Sequence, residues 1–174
     1  FPIIKTITPI TDVYLGPDYD SEVELFIEKN KLAKKYSVDF ADPKSIARML
    51  AKGEVVPRCC GRMEWGARSL GNRAILANPS DLKYVWEINE QIKMRDFWMP
   101  FAPTILKERE MDYIENPKNI EAPYMIMAFN GTSLARKDLR AAMHQADFTL
   151  RPQILDKSWN PTISLIIKSH LVTL

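Results

Sequence analysis

Gly61-Arg62-Met63-Glu64-Trp65-Gly66-Ala67-Arg68-Ser69-Leu70-Gly71-Asn72-Arg73 is the stretch on which this sequence turns. An apolar run at 54–60 that reads as a buried strand leads into it, and a second strand at 73–77 leaves it. Three arginines and three glycines alternate between those strands. Arginine carries a fixed charge and a planar fork that fits phosphate or carboxylate oxygens. Glycine lets the backbone turn tightly and approach a ligand. The combination predicts an anion site on a strand-connecting loop. It is not a Walker A loop, because no Gly-Lys-Ser/Thr closes it, and its glycine spacing is not that of a Rossmann turn. Arg62, Arg68 and Arg73 lie six and five residues apart, so one strand face cannot hold all three. A curled loop can converge them on one ligand. The alternative is that one or two form surface ion pairs with Glu64 or Asp81.

Helical patterns surround these strands. Asp20-Ser21 offers a cap for a helix over 22–36, acidic early and basic late, as the helix dipole favours. Asp42-Pro43 opens a second helix that Gly53 closes. A helical period covers 81–93, a strand 102–106, a helix 108–114 and a polar loop 116–123. Strands are expected at 124–129 and 149–155, and a last helix from Asn160-Pro161 to about Ser169. Interleaved strands and helices predict an α/β or α+β domain. Residues 1–20, rich in Pro and Thr, read as a connecting segment, and 21–170 as the domain.

A length of 174 residues with 46% hydrophobic content suits one domain with a substantial core. A net charge of +2 gives no general polyanion signal, so a basic site must arise by local clustering. Cys59 and Cys60 are adjacent on a strand and point to opposite faces, which argues against a mutual disulfide and for a reduced, cytoplasmic setting. With two cysteines and two histidines no structural zinc cluster is expected, and no metal ligands are assigned. No apolar run reaches the roughly 20 residues that span a bilayer. A chain starting on Phe1 is expected to be part of a longer protein.

Two further blocks hold polar groups suited to phosphate. Lys93 and Arg95 are two apart and point the same way if the backbone is extended. Phe97, Trp98 and Phe101 beside them can pack as core or stack on a base. Thr149, Arg151 and Gln153 alternate and would line one face of a strand. His144 and Asp147 suit an orienting pair or proton transfer. No nucleophile elbow or paired carboxylates stand out.

Together these blocks resemble the carbamoyltransferase family, whose C-terminal region carries Gly-Arg-Met-Glu-Phe-Gly-Pro-Arg-Ala-Leu-Gly-Asn-Arg. That signature stands here at 61–73, with Trp65, Ala67 and Ser69 in place of Phe, Pro and Ala. The stretches 95–103, 124–129, 144–153 and 159–161 also match, so the likeness runs from about 14 to 168. The resemblance implies a YrdC-like domain: a twisted mixed sheet with helices packed on it and a basic concave face. It implies that this domain binds ATP, with Mg²⁺, and carbamoyl phosphate, and forms carbamoyl-adenylate. An N-terminal, metal-containing partner domain of the same polypeptide would pass the carbamoyl group to a hydroxyl. Lys93 and Arg95 then fall to the phosphates, and Arg62, Arg68 and Arg73, with Asn72, to the carbamoyl phosphate side. Thr149, Arg151 and His144 would lie near the nucleotide. Arg58-Cys59-Cys60 replaces the aromatic or glutamine residues expected before Gly61. A noncatalytic RNA-binding module is the alternative from another class; the small net charge weighs against nucleic acid as the partner.

Overall fold

A computed structural model describes residues 12–96, 98–169 and 172–173. Residues 1–11 of the connecting segment, and Phe97, lie outside the described residues. The first helical stretch is shorter than its charge pattern predicts. A 3₁₀ turn at Asp20–Glu22 leads into α1 (Val23–Lys29), and Lys31 then adopts φ 54° before a second 3₁₀ turn at Leu32–Lys34. Asp20 does not cap α1, because its carboxylate is bound elsewhere. α2 (Pro43–Ala51) forms as expected: Asp42 accepts from Lys44 N and Ser45 N, and Pro43 sits in the first turn. Gly53 follows at φ 89°, a left-handed position that a side chain disfavours.

β1 (Val56–Cys59) and β2 (Arg73–Leu76) pair antiparallel, with Val56 opposite Leu76 and Cys59 opposite Arg73. The strand entering the glycine-arginine loop is half-buried rather than buried, with alternate residues exposed. α3 (Lys83–Ile88) passes into a wide π-type turn at Asn89–Lys93. β3 (Pro103–Leu106), α4 (Glu110–Tyr113) and β4 (Ile114–Glu115) follow. The strand expected at 124–129 is mostly irregular, since Met125 has φ 56°; only β5 (Phe129–Gly131) pairs. α5 (Ser133–Asp138), capped by Thr132, has no counterpart in the sequence reading. The strand expected at 149–155 divides into β6 (Thr149–Leu150) and β7 (Gln153–Leu155). Pro152 has no N–H for a ladder and separates the two. α6 (Pro161–Ser169) and β8 (Val172–Thr173) end the described chain.

Among the described residues the strands form three small sheets: β1-β2, β7-β3-β8 and β4-β5-β6. β3 runs parallel to β7 and antiparallel to β8. With helices between and upon these sheets the fold is α+β. Leu50 of α2, Leu76 of β2, Leu155 of β7 and Ile163 and Ile166 of α6 share one core. Each such side chain contributes about 1.5–3 kcal/mol by leaving water. A second core joins Phe129, Leu139, Met143 and Leu150, and a third joins Ala77, Val85, Ile88 and Phe101. Among the described residues no helix is long and apolar enough to cross a membrane.

Gly71 locks the loop against α6. It has φ 110°, and a Cβ there would lie 3.0 Å from Ile163 Cγ1. Gly66 has φ 116° with nothing within 4 Å of such a Cβ. Gly71→Ala is therefore expected to lower stability by about 1–3 kcal/mol, and Gly66→Ala by less, since only the backbone term applies. Thermal unfolding of both variants measures the difference; equal losses would remove the packing argument.

Candidate functional site

The glycine-arginine loop is built around Glu64, which is only 4% exposed. Glu64 Oε1 accepts backbone N–H groups from Leu70 (2.8 Å), Asn72 (2.7 Å) and Arg73 (3.0 Å), and Oε2 accepts from Arg73 (3.0 Å). A carboxylate accepting several N–H groups satisfies donors that would otherwise be buried and unpaired. The surface ion pairs considered for Arg62, Arg68 or Arg73 do not form. Glu64 is turned inward, and Asp81 pairs with Lys83 at 3.6 Å.

The arginines of the loop take separate positions. Arg62 Nε and Nη2 donate to Gly16 O (3.2 Å) and Leu15 O (3.0 Å). That fastens the loop to the preceding segment, whose Val13 O also accepts from Trp65 N at 2.7 Å. Arg68 is exposed at the loop tip. Arg73 is exposed on β2, and strand alternation puts it on the face of Ile75, which packs by the Phe101 cluster. Asn72 is committed to the scaffold. Its Oδ1 accepts from Asn160 Nδ2 (2.8 Å) and Arg58 Nη1 (3.3 Å), and its Nδ2 donates to Arg62 O (2.8 Å). Arg58, read in the sequence only as a substitution, also donates to Gly71 O at 3.0 Å. Asp20 closes the entry: both its oxygens accept from Gly61 N at 2.9 Å, and Cys60 Sγ donates to it at 3.2 Å.

Lys93 and Arg95 form the second element. Their backbone is not extended, because Met94 adopts φ 47°. Both nevertheless reach one ring: Lys93 Nζ lies 5.4 Å and Arg95 Cζ 4.7 Å from the Phe101 centroid. Asn89, fully buried, shapes this turn. Its Oδ1 accepts from Arg95 Nε (2.6 Å), and its Nδ2 donates to Asp96 O (3.2 Å) and Met99 O (3.1 Å). Among the described residues the ion pairs are Lys83–Asp81, Arg109–Asp112 and His144–Asp147, so neither Lys93 nor Arg95 has a carboxylate partner. Burial and the neighbouring Arg95 charge hold the Lys93 ammonium below its ordinary value. Burial acts on Arg95 in the same direction.

Phe101 joins this pair to the third block. A cleft of about 280 Å³ is lined by Pro100, Phe101, His144, Asp147, Thr149 and Arg151. His144 Nδ1 lies 3.1 Å from Asp147 Oδ1, and that oxygen accepts from Thr149 N (2.9 Å) and Oγ1 (2.8 Å). The Thr149 backbone N–H and hydroxyl, then His144, lower the Asp147 carboxyl from its ordinary value. The alternating face expected for Thr149, Arg151 and Gln153 is absent, because the strand breaks at Pro152. Gln153 is buried and bonds Thr104 Oγ1 (3.1 Å) and Leu70 O (3.2 Å). Lys93, Arg95, His144, Thr149 and Arg151 thus gather around Phe101, and Arg73 faces the same side. Arg62 and Asn72 support the loop, and Arg68 stands apart at its tip. Glu64 and Arg58 are the structural keys that the sequence reading passed over; an acid among arginines looks like a surface partner until its burial is known.

A strand–loop–strand unit built on an internal carboxylate, beside a cleft with an uncompensated cation pair, defines the class of α+β domain. Over residues 47–172 the chain matches the family described as Carbamoyltransferase C-terminus, and it belongs to that family. It is similar to an uncharacterised protein of Methanocaldococcus jannaschii, 36% identical over 159 residues, covering 89% of this chain and 26% of that protein. Nodulation protein NolO of Bradyrhizobium diazoefficiens is 32% identical over 155 residues, covering 87% of this chain and 28% of that one. Nodulation protein NolNO of Sinorhizobium fredii is 32% identical over 154 residues, covering 87% and 22%. The chain spans about a quarter of the length of these curated relatives.

Glu64→Ala leaves buried N–H groups without a partner and is expected to cost at least about 3 kcal/mol. Arg68→Ala should stay within about 0.5 kcal/mol of the parent. Urea unfolding compares them; a Glu64→Ala protein as stable as the parent would end the scaffold assignment. Asp20 has its carboxyl lowered by Gly61 N–H and then Cys60 S–H. Its contribution is present above the unfolded value, about pH 4, and fades as pH falls through the lower folded value. The stability gap between parent and Asp20→Ala should therefore shrink in acid. A gap that stays constant from neutral pH to about pH 3 would contradict this.

Proposed function

We propose that this domain is a YrdC-like, adenylate-forming unit that binds ATP and carbamoyl phosphate around Phe101 and joins them as carbamoyl-adenylate. The observation that supports it most is the pairing of Lys93 and Arg95 over one ring with no carboxylate opposite. Two like charges in a partly desolvated place attract an anion strongly. His144 and Arg151 extend the donors along the cleft, while the Thr149 hydroxyl is already given to Asp147. Arg73, on the side of Phe101, suits the smaller anion, carbamoyl phosphate, and Arg68, exposed on the loop, is the further cation this reading assigns to it.

Atom balance sets the sequence of steps. Water releases phosphate from carbamoyl phosphate and leaves carbamate. A carbamate oxygen then bonds the α-phosphorus of ATP as the bond from that phosphorus to the bridging oxygen breaks, expelling pyrophosphate. Charge grows on phosphoryl oxygens throughout, so fixed cations stabilise the transition state more than the ground state. Mg²⁺ belongs to the substrate in this reading, carried on the ATP phosphates. Transfer to a hydroxyl falls to an N-terminal domain of the same polypeptide, a reading supported by relatives about three to four times as long as this chain. Cys59 and Cys60 are free thiols, in keeping with a cytoplasmic setting.

Calorimetry with MgATP and carbamoyl phosphate tests the reading, together with pyrophosphate release that requires both. A folded sample that binds neither sinks it. The Lys93 ammonium has no hydrogen bond or ion pair among the described residues, so Lys93→Ala is a clean probe. One charge-assisted contact is worth about 1.5–3 kcal/mol. ATP binding should therefore weaken roughly 10- to 100-fold, with the melting temperature unchanged.

A further inference from the structure

α1 carries an uncovered face. None of its residues is buried, and neither of the 3₁₀ turns flanking it contributes a buried residue. Tyr19 is 56% exposed, Val23 47% and Phe26 60%. Spacings of four and three residues put these side chains on one side of the helical stretch. Two aromatic rings and a valine on one stripe make an unpartnered apolar face. Both ends of that face are held in place. Asp20, in the turn before α1, accepts from Gly61 N at 2.9 Å. Asn30 Nδ2, just after α1, donates to Phe26 O at 2.9 Å. A face ordered in advance loses less entropy on association.

Charge is arranged about Phe26. Glu22 stands four residues before it and Lys29 three residues after, so both project on its side, one toward each end of the stripe. Both are exposed, and neither forms an ion pair among the described residues. Seven residues of helix hold them about 10 Å apart, too far to pair with each other. A two-fold axis through the helix near Phe26 brings Glu22 of one copy beside Lys29 of the other, and Lys29 beside Glu22. An unrelated partner would need an acid and a base at matching positions; a second copy supplies them by symmetry.

We propose that this face is a self-association surface on which two copies of the chain pair α1 antiparallel. Phe26 lies at the centre, with Tyr19 and Val23 around it, and a Glu22–Lys29 contact forms at either end. α1 is only about 10 Å long, so the buried area falls short of the roughly 800 Å² per partner of a standard interface. The dimer is therefore weak and concentration-dependent, forming over roughly 1–100 µM. No residue of this face lines the cleft around Phe101, so the surface stands apart from the proposed catalytic function.

Sedimentation equilibrium of the whole chain over that range tests this. The parent should show a reversible monomer–dimer equilibrium. Phe26→Glu should weaken it at least about tenfold, by setting like charges at the centre. Glu22→Lys and Lys29→Glu should each weaken it roughly three- to tenfold, since each places like charges opposite one another at both ends. An equimolar mixture of those two variants should recover the parent's dimerisation, because every end contact in the heterodimer again joins acid to base. Thermal melts check that the variants fold; should Phe26→Glu not fold, the two charge variants and their mixture decide alone. A parent that stays monomeric across the range overturns the proposal and leaves the face to a different chain segment. A dimer untouched by Phe26→Glu also overturns it, by placing the interface elsewhere. A mixture that associates no better than either charge variant overturns the antiparallel pairing.

Discussion

The carboxylate of Glu64 holds the arrangement together. It gathers the N–H groups of Leu70, Asn72 and Arg73, and so fixes where β2 begins. Asn72 then reaches Asn160 at the start of α6, and Leu70 O accepts from Gln153 on β7. One buried acid therefore sets the loop, the hairpin and their junction with two other elements. It also changes what the loop can offer a ligand. Backbone N–H groups in a glycine-rich loop often cradle an external anion; here several of them are occupied by an internal one. The N–H groups of Leu70, Asn72 and Arg73 are therefore closed to a ligand at this loop.

The parts of the fold legible in the sequence are those with local signals. Asp42-Pro43 with Gly53, and Asn160-Pro161, set α2 and α6 because caps, proline and glycine act within a few residues. Expectations failed where tertiary structure decides. Residues 22–36 have helical charge order, but Asp20 leaves the cap position to bind Gly61, and Lys31 turns the chain. Residues 149–155 look like one strand because alternation continues through Arg151-Pro152. The two halves nevertheless pair with different strands, Thr149–Leu150 with β5 and Gln153–Leu155 with β3. Neither pairing is visible without knowing which strand lies alongside.

The site divided along the same line. In the candidate site, Lys93, Arg95, His144 and Thr149 are marked by residue type and by resemblance to a family pattern, and Phe101 is what brings them together. The roles of Asn72 and Arg62 were harder to read, because an exposed donor and a scaffold donor have the same chemistry. Burial and partner geometry separate them. The Arg62 side chain donates to two backbone carbonyls of the preceding segment, whereas the Lys93 ammonium donates to nothing among the described residues.

That difference bears on why the cation pair exists at all. Each of Lys93 and Arg95 gains something from the face of Phe101, about 0.5–1 kcal/mol at a partly exposed site. Against this stands desolvation, which lowers both pKa values, and for Lys93 the neighbouring Arg95 charge as well. The fold has a way to relieve this, since Asp96 follows Arg95 directly, yet no ion pair forms between Asp96 and either cation. Asn89 instead uses its amide to hold Arg95 Nε toward the ring and to bind the Asp96 carbonyl. A buried asparagine that aims a guanidinium without neutralising it preserves positive potential. It also holds the cation in one geometry, which in the proposed function spares an arriving phosphate the cost of ordering it. Local strain of this kind accompanies a binding site more readily than it accompanies a scaffold, because a scaffold would be more stable with the acid turned inward, as Glu64 is.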